Sequence, residues 1–123
     1  MLKTIFFVGL GGAVGSISRY LLSGFISKIY LSNFPIATYV VNIVGCFLIG
    51  ILMGIFAKYN LQDSDLKWLL ITGFCGGFTT FSAFGYENFN LFQTHNYFLS
   101  IIYISLSVFF GIFAVGLGLF LSK

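Results

Sequence analysis

Charge is what this sequence has least of. Only 7% of its 123 residues are Asp, Glu, Lys or Arg, and the acidic ones are Asp63, Asp65 and Glu87 alone. Ordinary soluble domains carry about a quarter charged residues, so a soluble fold is excluded. The six cations sum to a formal charge of +3 without forming a basic cluster, which excludes a nucleic-acid partner. There is one histidine, His95, and no Cys–His cluster, carboxylate pair or Ser–His–acid set. That leaves little from which to build hydrolysis, redox chemistry or a transition-metal site, and no enzyme is expected. The two cysteines, Cys46 and Cys75, each lie inside an apolar run and read as small buried hydrophobes rather than a disulfide.

What is present is apolar: 59% of the residues are hydrophobic, 17 are phenylalanine, and the mean hydropathy is +1.03. Four apolar runs, near residues 4–26, 36–57, 68–92 and 97–121, each reach the roughly 20 residues that cross a bilayer core of about 30 Å. The fold class expected is therefore an all-α, multi-pass protein of the cell membrane, one four-helix domain over residues 1–123. The opening Met-Leu-Lys3 and its apolar run imitate a signal peptide. Apolar character resumes after Arg19, however, so the first run counts as a span. Four spans put Lys3, Lys58, Lys67 and Lys123 on one side against Lys28 on the other, a bias that favours cytoplasmic termini. Trp68 and Tyr59, and Tyr30 and Tyr97 at the opposite face, suit interfacial belts.

Fifteen glycines fall partly at close-packing spacing: Gly11 and Gly15, Gly50 and Gly54, Gly73 and Gly77. The run Gly9-Leu-Gly11-Gly12-Ala-Val-Gly15 approximates a dinucleotide fingerprint, but lacks the strand that such a loop follows. The strongest interruption is in the third run, Gly73-Phe-Cys-Gly-Gly-Phe-Thr-Thr-Phe-Ser-Ala-Phe84. Unpaired backbone costs several kcal/mol in hydrocarbon, about as much as any buried polar group, so a break at Gly76-Gly77 needs protein, water or an ion to satisfy it. The segment is expected to line a path or a binding site.

Polar side chains at membrane depth are few. Arg19 either snorkels to the interface or draws anions into a vestibule. Asn42, with Thr38 and Gly45 on its face, offers two donors to a neighbouring helix or to a ligand. Thr79, Ser82 and Tyr86 recur at helical spacing with Glu87 adjoining, and Phe81 and Phe84 occupy another face. Ser100, Tyr103 and Ser107 form a second hydroxyl stripe. Such donors suit an anion; cation pores more naturally present carboxylate rings or carbonyl filters.

Three segments resemble the CrcB/Fluc fluoride channels: Gly11-Gly12-Ala-Val-Gly-Ser-Ile-Ser-Arg19-Tyr20, Thr38-Tyr-Val-Val-Asn42-Ile-Val-Gly45-Cys-Phe-Leu-Ile-Gly50, and the third-run motif. The resemblance implies a fluoride-selective passive channel that exports cytoplasmic fluoride. It implies an antiparallel, dual-topology dimer with a third helix broken mid-span and two pores. It implies a structural sodium ion held at the dimer axis by the carbonyls of Gly76 and Thr79 from both subunits. Asn42 would donate to fluoride, and Phe81 and Phe84 would turn their positive ring edges to it. Ser82, Tyr103, Ser107 and Glu87 would form a polar track, and Arg19 the vestibule cation. The family usually has Thr where this chain has Ala83. Because some members pair oppositely biased subunits, both a homodimer and a heterodimer with an oppositely oriented homologue stay open. The main rival, a small dual-topology multidrug or cation exporter, depends on a carboxylate in the first span, and none is there.

Overall fold

A computed structural model describes all residues, 1–123. Helix α1 spans Leu2–Ile29 and α2 spans Ile36–Lys58. The third span, Lys67–Gln93, is composite: a π-helical segment Lys67–Cys75, a single turn α3 (Gly76–Phe78), and helix α4 (Phe81–Gln93). Helix α5, Tyr97–Leu121, completes the chain. All four spans are long and apolar enough to cross a membrane, and their bounds fall within three residues of the four runs.

The helix ends follow local chemistry. Pro35, which has no N–H to satisfy, precedes α2. Asn60 and His95 take left-handed backbone angles, φ 58° and 64°, just past the ends of α2 and α4. In each case the next amide reaches back five residues, Leu61 N–H to the Phe56 carbonyl at 2.8 Å and Asn96 N–H to the Leu91 carbonyl at 2.7 Å. This is the Schellman closure, which most often uses glycine. Both turns are thereby sharp and short.

Two glycine seams hold the spans together. Along the first, α1 lies on the π-helical segment and α3. A Cβ added at Gly11 would stand 2.0 Å from the Leu69 carbonyl oxygen, and one at Gly15 would stand 2.2 Å from that of Phe74. Along the second, α2 lies on α5, where a Cβ at Gly50 would meet the Val115 carbonyl at 2.3 Å and one at Gly118 that of Phe47 at 2.5 Å. Small residues matter here because lipid tails are as apolar as leucine, so association comes from close backbone packing.

The interior is correspondingly thin. Tyr103, Val41 and Ser100 are its largest fully buried side chains, while Phe25, Phe109 and Phe113 point outward. Lys3 reaches Asp65 at 2.9 Å, which sets the start of α1 beside the connector after α2. Lys58, Lys67 and Lys123 lie over the rings of Tyr59, Trp68 and Phe120 at 5.7, 5.3 and 5.9 Å. Four of the six cations thus gather at one end of the bundle, each with an anionic or aromatic partner.

The interruption sits three residues beyond the expected place. Gly76 is helical, φ −63° and ψ −38°, and Gly77 lies within the α3 turn. The extended residues are Thr79, φ −88° and ψ 158°, and Thr80, φ −147° and ψ 121°. Gly77 is used for packing instead, since a Cβ there would meet the Gly12 carbonyl at 2.6 Å, whereas nothing of the subunit lies within 4 Å of a Cβ at Gly76. The threonines tolerate extended backbone well because β-branched side chains prefer it.

Candidate ion site at the interrupted third span

The extended pair Thr79–Thr80 interrupts the helical ladder: Thr79 N–H still reaches the Cys75 carbonyl at 3.1 Å, but Thr80 N–H is turned to a side chain. Side chains of neighbouring helices and of the break itself answer for it. Asn42 on α2 donates from Nδ2 to the Thr80 carbonyl at 3.1 Å and accepts the Thr80 N–H at Oδ1, 2.8 Å. Its amide orientation is fixed, because the backbone N–H can only donate. Arg19 on α1 donates from Nε to the Gly77 carbonyl at 3.1 Å. Thr80 then caps α4, its Oγ1 accepting the Ala83 N–H at 3.2 Å. Thr79 Oγ1 donates back to the Cys75 carbonyl at 2.9 Å.

These bonds have a consequence for two carbonyls. In a continuous helix Gly76 would receive the Thr80 N–H and Thr79 the Ala83 N–H. The first is given to Asn42 and the second to the Thr80 hydroxyl. The carbonyls of Gly76 and Thr79 are therefore deprived of their helical donors. Gly76 is exposed, and nothing of this subunit lies within 4 Å of where its Cβ would be.

Beside the break is a cavity of about 570 Å³. Its walls include Asn42, Thr80, Phe81, Phe84 and Ser107, with apolar Ile49, Ile71 and Val108 around them. Asn42 uses one Nδ2 hydrogen on Thr80 and keeps the other. The Ser107 hydroxyl is buried and has no partner within the subunit. The rings of Phe81 and Phe84 are 5.8 Å apart and tilted by 38°, and Phe81 is 83% exposed.

The remaining polar residues are engaged elsewhere. Glu87 accepts from Thr38 Oγ1 at 2.6 Å and from Tyr103 OH at 2.9 Å, so both of its oxygens are held. The Tyr103 ring meets Phe84 edge-on at 4.9 Å, which links that carboxylate to the cavity wall through one aromatic. Ser100 donates to Asn88 at 2.8 Å, and Asn88 to the Phe84 carbonyl at 2.9 Å. Ser82 is exposed and contacts only the Thr80 hydroxyl, at 3.2 Å.

The expected stripe of Thr79, Ser82 and Tyr86 is thus not a continuous face, because the break places Thr79 outside the helix that carries the other two. Arg19 spends its Nε on the Gly77 carbonyl. Asn88 and Thr80 were not legible as site residues. Asn88 has no polar neighbour three or four residues away, and Thr80 matters through its backbone. Replacing Tyr103 by Phe takes one donor from the half-buried Glu87 carboxylate. A loss of about 1–3 kcal/mol is expected, read as a fall of several degrees in the thermal unfolding of detergent-solubilised protein.

Residues 6–119 match the family model described as CrcB-like protein, Camphor Resistance (CrcB). The chain belongs to the CrcB family. It is 50% identical over 123 residues to the fluoride-specific ion channel FluC of Azobacteroides pseudotrichonymphae, covering 100% of this chain and 98% of that one. It is 49% identical over 122 residues to the FluC of Flavobacterium psychrophilum, covering 99% and 98%. Against the FluC of Campylobacter fetus the identity is 52% over 95 residues, covering 76% and 73%. With its four apolar spans, this CrcB chain is a multi-pass protein of the cell membrane, and it is an ion channel rather than an enzyme.

Proposed function

We propose that the protein is a fluoride-selective passive channel that lets cytoplasmic fluoride leave the cell, with its anion site in the cavity beside Thr79–Thr80. The observation that carries this reading is the pairing there of unused donors with aromatic edges. The Asn42 amide keeps one hydrogen and the buried Ser107 hydroxyl has no partner, while Phe81 and Phe84 can offer positive ring edges. Fluoride, small and strongly hydrated, must exchange water for such donors and still leave, which apolar walls with few polar groups allow. A negative-inside potential drives an anion outward by about 2.3 kcal/mol per 100 mV, so no pump is needed. The exporter alternative finds no support: α1 has no carboxylate, and Glu87 is bound at both oxygens.

Purified protein in liposomes should release fluoride under a valinomycin-set potassium potential, detected by a fluoride electrode, and should not pass chloride. Absent efflux, or equal chloride flux, would overturn the assignment. Phe81→Ile removes a ring edge and leaves an aliphatic wall. It should lower fluoride efflux at least tenfold while leaving the elution volume of the solubilised complex unchanged.

The subunit is read as half of an antiparallel dimer, with the bilayer as its surround and an oppositely oriented copy or homologue as its partner. In support, Phe81 and the Gly76 backbone lie on the outside of the single chain, where a partner could cover them. The donor-deprived carbonyls of Gly76 and Thr79 fit a sodium ion, a hard cation that takes oxygen ligands. Four of these carbonyls, two from each subunit, would hold it and join the subunits. The four-against-one lysine bias allows a homodimer or a heterodimer. Labelling cysteines introduced near each end of the bundle from either side of the membrane separates the two, since a single orientation in cells without a homologue would exclude the homodimer.

A further inference from the structure

We infer that Arg19 and Asn42 are positioning residues that hold the Thr79–Thr80 break open from two sides, so that their first effect is on cation retention at Gly76 and Thr79. The inference rests on the sodium reading above and goes beyond it, because the family resemblance placed both side chains on the anion path.

The geometry is specific. Asn42 takes both the N–H and the C=O of Thr80, an arrangement that competes directly with the helical bond from Thr80 to Gly76. Without Asn42 Oδ1 the Thr80 amide is free to return to the Gly76 carbonyl, and that carbonyl is lost as a ligand. Arg19 acts one residue further along, on the Gly77 carbonyl, from the opposite neighbour α1. That contact uses Nε, the atom nearest the backbone, and leaves the terminal guanidinium nitrogens free for other work. Both anchors sit on tightly seamed helices. Gly15, one turn before Arg19, lies against the Phe74 carbonyl, and Gly45, three residues after Asn42, lies against the Thr79 methyl group. The two braces are therefore fixed relative to the break and not merely near it.

Position and charge at Arg19 can be separated by chemistry. Glutamine places its amide nitrogen the same number of bonds from Cα as arginine Nε, and carries no charge. Lysine keeps the charge and puts a methylene there. The test is the shift in unfolding temperature of solubilised protein titrated with sodium chloride at constant ionic strength against N-methyl-D-glucamine chloride. For the positioning role, Arg19→Gln should keep the wild-type sodium midpoint within about threefold, whereas Arg19→Lys and Asn42→Ala should raise it at least tenfold. A wild-type midpoint in Arg19→Lys together with a raised one in Arg19→Gln would overturn the inference in favour of a purely electrostatic role.

Hydrogen–deuterium exchange of the peptide covering Thr79 and Thr80 gives a second readout that needs no sodium. If the brace is real, Asn42→Ala changes exchange at the Thr80 amide; an unchanged amide overturns it. A wild-type protein with no sodium response at all would overturn the sodium reading and the cation link together, while the exchange result would still decide whether the brace exists.

Discussion

Asn42→Asp should abolish fluoride flux. The substitution is nearly isosteric and keeps the oxygen that accepts the Thr80 N–H. It replaces the nitrogen that donates to the Thr80 carbonyl with a second oxygen, so two acceptors face each other where one bond stood. It also places a carboxylate on the wall of the cavity that the anion must enter. Two like charges at about 4 Å repel by about 4 kcal/mol at an effective dielectric constant of 20, or about a thousandfold in occupancy. Electrode-detected efflux from liposomes should fall to the protein-free leak, while size-exclusion elution stays that of the wild type. Undiminished flux would remove Asn42 from the pore lining.

The largest structural effect is expected from Gly15→Val. A Cβ at Gly15 would stand 2.2 Å from the Phe74 carbonyl oxygen and 3.0 Å from the Phe78 amide nitrogen. Those atoms are backbone and have no alternative rotamer. Overpacking an ordinary core costs about 1–3 kcal/mol where side chains can shift; here α1 itself must withdraw, which would strip the seam from Gly11 to Gly77. It would also pull Arg19, one turn later on α1, away from the Gly77 carbonyl. The expected outcome is loss of the folded peak in detergent and of all flux. Gly24→Ala on the same helix is the control, since nothing of the subunit lies within 4 Å of that site. A Gly15→Val protein that elutes and unfolds like the wild type would show that the α1 seam is not needed for the fold.

The break illustrates how a motif can be legible while its use is not. Gly76-Gly77 stands out in sequence because adjacent glycines are the residues most often found where helices fail. In the structure Gly77 lets α1 approach, and Thr79 and Thr80 carry the extended backbone. Glycine has two unrelated uses, freedom of φ and absence of Cβ, and a one-dimensional string does not tell them apart. The same holds for Arg19 and Asn42. Their rarity at membrane depth marks them, but a donor aimed at a ligand and one aimed at backbone have identical spacing along a helix.

What the sequence determined by itself is what depends on composition and period: four apolar spans, their bounds to within three residues, the crowding of lysines at one end, the glycine seams and the set of polar residues at depth. These follow from local rules, because lipid imposes helical hydrogen bonding on every span and small residues wherever two spans meet. Tertiary structure alone decided where the third span breaks, that Asn42 and Arg19 brace it, and that Glu87 is held by Thr38 and Tyr103. Those partners are 16 to 58 residues apart in the chain, and only the packing of one helix on another selects them.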